Sequence, residues 1–374
     1  MCKKGQNTLY ITPGTKTVDW YKTFEKCREL DLWEWSIHSI NMPDSVIHIG
    51  REAFRFCINL RNVEMSNSIQ WIGWRAFWRC KYLRIIHLPN SLKLIDSEAF
   101  MGCTDLVDIT IPNSVTQIYN AVFSGCKSLT SITIPNSVVY MGSSIFAYCL
   151  SLTNVSLNNQ LTAIPKRTFF SCKSLTNVVI PESVAIIGDS AFSGCLMLTH
   201  INLPNNVTSI GSSAFWSCRS LSHIKISKSV SNIESHAFSF CSSIRSICVE
   251  QENEFYDSRE NCNALIHTAT NTLIRGCSRT IMPNSVTCIG EGAFSGCDKL
   301  KSIAIPNSVT KIKDEAFKGC MGLKSISIPA SITEIGKDVF VGCQHLKEII
   351  VPLGTKERFS RLLPFINNNY IIES

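Results

Sequence analysis

The sequence predicts a solenoid built from 23-residue repeats. Twelve Phe-x-x-Cys units lie between Phe54 and Cys343, and the nine units from Phe54/Cys57 through Phe238/Cys241 recur every 23 residues. A unit of this length cannot enclose a core of its own, so its apolar face must be buried against the units before and after it. Proteins of this architecture usually work by presenting a surface to another molecule.

Each repeat begins with a short strand that has one buried face. In the unit that starts at Cys126, we expect Ile132 and Ile134 to point inward and Ser131 and Thr133 to point outward. Proline ends the strand because it has no N–H to continue a ladder. The prolines that end strands are Pro89, Pro112, Pro135, Pro181, Pro204, Pro306 and Pro329. Pro-Asn-Ser recurs at 89–91, 112–114, 135–137, 283–285 and 306–308, which predicts a stacked turn.

The second half of the repeat carries another apolar pair, such as Val115 and Ile118, and then a glycine. We expect positive φ at this glycine. The Ala-Phe that follows suits one tight helical turn whose phenylalanine fills the interior, because 23 residues leave no room for a long helix. The glycines at this position are Gly73, Gly142, Gly188, Gly211, Gly290 and Gly336.

The repeat resembles a known family. The units Ile111-Pro-Asn-Ser-Val-Thr116 and Ile305-Pro-Asn-Ser-Val-Thr-Lys-Ile312, with Ala-Phe-Lys-Gly-Cys320 after the second, are similar to the leucine-rich repeats of the BspA-like, Treponema-type family over roughly residues 43 to 352. The resemblance implies a right-handed, curved leucine-rich-repeat solenoid. A parallel β-sheet would line its concave face, with short extended, 3-10 or one-turn helical segments on the convex side. It also implies a bacterial adhesin or surface binding protein.

The repeat spacing divides the chain into five segments. These are a degenerate N-terminal capping repeat at 1–42, regular repeats at 43–250, a repeat with an insertion at 251–281, three further repeats at 282–350, and a C-terminal cap with a short helix at 351–374. The insertion adds about ten residues, which we expect to form a loop or hairpin.

The chain has eighteen cysteines. Twelve of them occupy one position of the repeat, directly before the strand, where a buried structural thiol is expected. Bridges between adjacent turns are not excluded by strand spacing alone. A Cys262–Cys277 bridge across the insertion stays an open alternative. The sequence contains no Cys-x-x-Cys pair, so a metal or redox site at cysteines is not indicated.

Residues 23 apart lie side by side on adjacent strands, so the exposed columns of the sheet can be read from the sequence. They are mostly short polar side chains, and we expect the following residues to bind a partner: Asp108, Thr110, Ser131, Thr133, Asn154, Ser156, Asn177, His200, Asn202, His223 and Lys225. His200 and His223 are neighbours but lack further metal ligands. No catalytic set emerges, and neither an enzyme activity, a metal nor a cofactor is expected.

Six of the seven tryptophans lie in the first 78 residues. Trp71, Trp74 and Trp78 occupy positions that are small or polar in other repeats, and an exposed aromatic patch there would bind glycan or protein. The competing interpretation is that Trp33 and Trp35 of the cap fold back and seal this edge.

Charge and targeting features narrow the function only partly. The net charge of +7 is scattered, so nucleic-acid binding is not expected, and no apolar stretch is long enough to span a membrane. No signal peptide is visible, which favours an intracellular location, whereas the resemblance implies the cell surface or secretion. The leading hypothesis is a non-catalytic, adhesion-type module that binds a protein or a host glycoprotein. The alternatives are a carbohydrate-binding surface protein that uses the tryptophans and an intracellular scaffold.

Overall fold

The computed structural model describes residues 7–19 and 36–374. It divides into two compact units, Met1–Leu196 and Met197–Ser374. The chain forms a parallel-strand β-solenoid of about 15 turns with little helix, so the fold class that the sequence predicts is confirmed.

One set of strands, which we call row 1, follows the repeat cysteines. Ser131 pairs with Asn154 and Thr133 with Ser156 in parallel register, while Ile132 between them is buried. In the first unit, row 1 consists of β1 (Thr8–Tyr10), β3 (Ser39–Asn41), β5 (Asn62–Glu64), β7 (Ile85–His87), β9 (Asp108–Thr110), β11 (Ser131–Thr133) and β13 (Asn154–Ser156). In the second unit it consists of β17 (His223–Ile226), β19 (Ser246–Val249), β25 (Ser325–Ser327), β27 (Glu348–Val351) and β28 (Ile371–Glu373).

A second set of two-residue strands, row 2, forms parallel ladders in the other half of each repeat. These strands contain the second residue of the apolar pair, such as Ile118, whereas Val115 precedes the strand. A second ladder was not predicted from the sequence. In the first unit, row 2 consists of β2 (Thr17–Val18), β4 (His48–Ile49), β6 (Trp71–Ile72), β8 (Leu94–Ile95), β10 (Gln117–Ile118), β12 (Tyr140–Met141), β14 (Ala163–Ile164) and β15 (Ile186–Ile187). In the second unit it consists of β16 (Ser209–Ile210), β18 (Asn232–Ile233), β23 (Cys288–Ile289), β24 (Lys311–Ile312) and β26 (Glu334–Ile335).

The Pro-Asn-Ser segments are stacked turns between the two rows, as predicted. The N–H of Leu92 donates to the carbonyl of Pro89 at 3.0 Å, which closes one such turn. The hydroxyl of Ser91 donates to the carbonyl of Ile69, one repeat earlier, at 2.6 Å. The turn serine therefore links successive repeats and satisfies a backbone acceptor.

The expectation of positive φ at the repeat glycines was wrong. Gly73 and Gly142 do not adopt positive φ. A Cβ on Gly73 would lie 2.8 Å from the carbonyl carbon of Gly50, and one on Gly142 would lie 2.7 Å from the backbone N of Asn120. Close approach of the neighbouring turn, rather than φ, therefore requires glycine here.

The Ala-Phe segment consists of linked turns rather than a helical turn. The N–H of Phe77 donates to the carbonyl of Ala99, one repeat later, at 2.7 Å. The phenylalanine still fills the interior: Phe77, Phe100 and Phe123 are fully buried, and their ring centroids stack 5.3 and 5.8 Å apart. Burial of each such side chain contributes about 1.5–3 kcal/mol of stability.

The segment 251–281 is built around antiparallel strands. β20 (Tyr256–Asp257) pairs with β21 (Leu265–His267), which pairs with β22 (Thr272–Arg275). A 3-10 turn, Arg259–Asn261, lies between β20 and β21. β22 also pairs in parallel with β23, so the hairpin joins row 2 of the second unit.

Two cysteines of this segment were candidates for a bridge. Cys262 and Cys277 are both buried, free thiols, which contradicts the Cys262–Cys277 disulfide. The thiol of Cys262 donates to the carbonyl of Ala264, and the thiol of Cys277 donates to the carbonyl of Asn263. The spacing of the two cysteines in the sequence does not show these contacts.

The last residues pack on the final repeat. Helix α1 (Lys356–Leu362) buries Phe359, and a 3-10 turn, Asn368–Tyr370, leads into β28, which pairs in parallel with β27. None of the helices in the described part of the chain is long and apolar enough to cross a membrane. Residues 1–6 and 20–35 of the predicted N-terminal capping repeat, which include Trp33 and Trp35, lie outside the described residues.

Candidate functional site

The cysteine column forms a ladder of buried thiols, as the sequence predicted. The thiol of Cys103 donates to the carbonyl of Phe77 at 3.2 Å, and that of Cys126 donates to the carbonyl of Phe100 at 3.3 Å. None of the sixteen cysteines in the described ranges forms a disulfide. Burial raises the pKa of the Cys103 and Cys149 thiols to about 12, so these side chains are neutral and poor nucleophiles.

The outward side of row 1, which we call the row 1 face, carries the predicted partner-binding residues. All eleven side chains are exposed. In the first unit these are Asp108, Thr110, Ser131, Thr133, Asn154, Ser156 and Asn177, and in the second His200, Asn202, His223 and Lys225.

Three of these residues do not lie on strands. Residues 177–180 and 200–203 keep the inward and outward alternation, with Val178 and Ile201 buried while Asn177, His200 and Asn202 are exposed, but they form no strand. The strands predicted there are wrong, because alternation reports only the direction of side chains. It does not require that backbone groups of adjacent turns meet in a ladder.

The two histidines among the predicted partner-binding residues each contact the residue that precedes them in sequence. Nδ1 of His200 lies 3.0 Å from the hydroxyl oxygen of Thr199, and Nδ1 of His223 lies 2.8 Å from that of Ser222. Within residues 7–19 and 36–374, no group of three or more His, Cys, Asp or Glu side chains is arranged to hold a metal ion.

Lys225 on the row 1 face is already paired. Its Nζ lies 2.8 Å from Oε1 of Glu250, and Oε2 of the same carboxylate accepts the backbone N–H of Lys228 at 3.0 Å. The hydrogen bond between the two side chains raises the pKa of Lys225 and lowers that of Glu250. A partner would therefore meet a neutralised pair here, not an isolated cation.

Sequence reasoning missed a hollow of about 580 Å³ on the row 1 face of the first unit. Arg61, Tyr82, Arg84 and Asp105 line it next to the strand residues Asn62 and Glu64 of β5 and Ile85 and His87 of β7. The guanidinium of Arg61 lies 6.0 Å from the centroid of the Tyr82 ring. The signal in the sequence was a pair of arginines, Arg61 and Arg84, each four residues after a repeat cysteine. They directly precede the exposed column residues of the strands.

The three tryptophans of the alternative patch have neighbours of their own. Two guanidinium groups, from Arg51 and Arg75, lie 4.1 and 4.2 Å from the ring centroid of Trp74. Trp78 makes an edge contact with Phe56 at 4.6 Å. Trp71 is exposed, and its ring centroid lies 5.9 Å from that of His48. Trp33 and Trp35, which were expected to seal this edge in the competing interpretation, lie outside the described residues.

Solved structures of bacterial proteins share this fold. A leucine-rich repeat protein from Bacteroides ovatus is 28% identical, with 98% of this chain and 92% of that chain covered and a TM-score of 0.70. One from Eubacterium ventriosum is 24% identical, with 90% and 91% covered and a TM-score of 0.59, which supports the fold alone. No curated protein was found to match this chain in sequence.

The repeats also match a family model. The model describes a BspA type leucine rich repeat region in six copies, and it matches residues 32–152, 140–265 and 275–363. These ranges cover most of the chain and include most strands of both rows and the thiol ladder. The chain therefore belongs to the BspA-type leucine-rich repeat family.

Proposed function

We propose that the chain is a non-catalytic, adhesion-type module that binds a protein or a host glycoprotein through the row 1 face. The observation that carries the proposal is the exposure of all eleven polar column residues on that face. Short polar side chains at regular spacing lose little entropy when a partner docks, and they offer many hydrogen-bonding groups.

The hollow of the first unit is the strongest candidate for the centre of this contact. Arginine and tyrosine dominate binding energy at protein interfaces, where they fill desolvated pockets. Arg61, Tyr82 and Arg84 surround the hollow, and Ile85 beside them is exposed. A partner that inserts a side chain between the two arginines would bury both apolar and charged groups.

The tryptophan patch gives a second candidate function, carbohydrate binding. Sugar rings stack on open aromatic faces. The guanidinium groups of Arg51 and Arg75 next to Trp74 compete with such stacking, which favours the protein-binding proposal. Binding to a glycan array that Trp74→Ala and Trp78→Ala abolish would support the carbohydrate function instead.

The test is capture of solubilised host-cell surface proteins on the immobilised chain, with and without prior removal of N-glycans. We compare Ser131→Arg and Asn154→Arg on the row 1 face with Val139→Arg, whose side chain is 75% exposed beside row 2. The proposal expects one or a few proteins that are retained by the wild type and the control but lost by the row 1 variants. Equal retention by all three variants would contradict it, and loss after glycan removal would identify the glycan as the ligand.

A further inference from the structure

A groove of about 710 Å³ crosses the first unit at the loop edge that precedes row 1. It is distinct from the row 1 face, because it is lined by residues next to the buried cysteines instead of by strand residues. Along the solenoid it extends from Phe56 and Ile58 at one end to Ser171 and Lys173 at the other. We call it the cysteine-edge groove.

The floor of the groove results from two glycines. The residue before each repeat cysteine has a left-handed backbone: φ is 77° at Gly102 and 74° at Gly125, and 59° at Phe56 and 63° at Tyr148. Side chains in this column share one direction, so Gly102 and Gly125 leave a gap two repeats wide. A Cβ on Gly125 would contact only the backbone of Gly102, at 3.7 Å, whereas a Cβ on Gly102 would lie 3.1 Å from Cγ of Arg79. The gap is therefore accessible above Gly125 and is bordered by the Arg79 side chain at Gly102.

Arg79 and the aromatic Tyr148 flank this gap in the same column, and a second aromatic residue, Phe56, stands one repeat beyond Arg79. Phe56 is 40% exposed and Tyr148 is 44% exposed. A left-handed backbone is unfavourable for bulky residues. Glycine takes this position in six of the twelve repeats, whereas Phe56, Tyr148 and Phe240 are aromatic. Each ring is held by an edge contact, Phe56 with Trp78 at 4.6 Å and Tyr148 with Phe170 at 5.3 Å. Exposed aromatic side chains on a strained backbone are typical of a binding site.

The charges along the groove have one sign. Arg79, Lys81, Lys127 and Lys173 line it, and no aspartate or glutamate is among the described residues of its lining. Met101 and Leu150 lie between these cations. The groove therefore combines an apolar floor and ends with a basic rim, and it is complementary to a segment that carries both acidic and apolar side chains.

We propose that the cysteine-edge groove binds an extended, acidic peptide segment of a partner protein in which acidic and apolar side chains alternate. Five repeat steps separate Ile58 from Lys173, roughly 24 Å at the spacing of adjacent strands. An extended peptide covers that distance with about seven residues. Its apolar side chains enter the floor, and its carboxylates face the lysines on the rim.

The lining favours a peptide over a glycan. Sugar hydroxyls need carboxylate or amide acceptors, and the groove lining has no Asp, Glu, Asn or Gln side chain among the described residues. A sulfated glycan would need a continuous basic surface, whereas Met101 and Leu150 interrupt this one. The inference rests on the proposed protein-binding function, but it uses residues that are separate from the row 1 face.

The test is fluorescence anisotropy with a labelled eight-residue peptide that alternates glutamate with leucine or phenylalanine. Peptides with lysine in place of glutamate, or serine in place of the apolar residues, serve as ligand controls, and heparin serves as the polyanionic glycan. The proposal expects saturable binding of the glutamate-leucine peptide only, weakened by added salt. The double variant Lys81→Glu, Lys127→Glu should bind it roughly tenfold or more weakly.

Two further variants separate binding from folding. Lys93→Glu reverses an exposed charge outside the groove and should leave the affinity unchanged. Tyr148→Gly should weaken binding without lowering the unfolding midpoint, because glycine suits the left-handed backbone. The proposal would be overturned if the peptide showed no saturable binding, or if the double variant bound it as tightly as the wild type. It would also be overturned if only heparin bound and the groove variants abolished that binding. Loss of partner capture by row 1 variants with unchanged peptide affinity would show that the two sites are independent.

Discussion

The carbonyl of Phe77 accepts two hydrogen bonds, from the N–H of Cys80 in its own repeat at 3.2 Å and from the thiol of Cys103 in the next repeat at 3.2 Å. A backbone carbonyl has two lone pairs, so both are used. This explains why cysteine recurs at the position: its side chain is small and apolar enough for the core, and its S–H supplies the second donor.

Removal of one thiol should destabilise the first unit. We expect Cys126→Ala to lower the free energy of unfolding by about 1–3 kcal/mol, because it leaves a cavity and removes the donor to the Phe100 carbonyl. Cys248→Ala, at an exposed position, should change it by less than about 0.5 kcal/mol. Urea unfolding under reducing conditions measures both, and equal effects would contradict the thiol ladder.

Stability should fall at alkaline pH. Cys103 and Cys149 have a pKa of about 12 when folded, above the ordinary thiol value of 9.0. The unfolded chain therefore loses these protons first, so their contribution is complete below about pH 9 and is lost between about pH 9 and pH 12. Each thiol adds a slope of up to about 1.4 kcal/mol per pH unit. Urea unfolding at several pH values should give a shallower slope for the Cys103→Ala, Cys149→Ala variant, and an unchanged slope would contradict the prediction.

Truncation of a stacked phenylalanine should act locally. Phe123 stacks between Phe100 and Phe146 at centroid distances of 5.8 and 5.9 Å, and Phe123→Ala should cost about 3–5 kcal/mol. Each repeat contacts only its neighbours, so hydrogen exchange should rise mainly in the adjacent repeats. Val139→Ala, at an exposed site, serves as the control. A uniform rise over the whole first unit would contradict nearest-neighbour behaviour.

The buried arginine of the hairpin should be replaceable by an apolar residue of similar length. Arg275 is 2% exposed and donates to the carbonyls of Ser295 and Gly292, which also accept backbone N–H groups from Phe240 and Ser295 respectively. Removing its charge therefore orphans neither carbonyl. Arg275→Met should be neutral or stabilising, whereas Arg275→Ala should cost about 2–4 kcal/mol through the cavity. Thermal unfolding compares the two, and equal losses would contradict this account.

The sequence predicts the structural features that depend on side-chain periodicity. It does not predict the features that depend on contacts between neighbouring turns. Ser131, Ile132 and Thr133 alternate, so their strand and exposed face followed directly. Row 2 strands are only two residues long, which is too short for a period to be recognised in the sequence. The role of Gly73 depends on how closely the turn at Gly50 approaches, which no single repeat reveals.

The candidate sites show the same division. The exposed columns could be read from the 23-residue period. The hollow could not be read from this period, because Arg61 and Arg84 precede the strands. The cysteine-edge groove could not be read from it either, because its floor lies where Gly102 and Gly125 have no side chains.

The most direct test of partner binding through the row 1 face is photo-crosslinking from single benzoylphenylalanine side chains at positions 154 and 139. Asn154 is exposed on the row 1 face, and Val139 is also exposed but lies beside row 2. We expect crosslinks to the captured protein from position 154 and none from position 139. Crosslinks from position 139 alone, or with equal yield from both, would contradict the account.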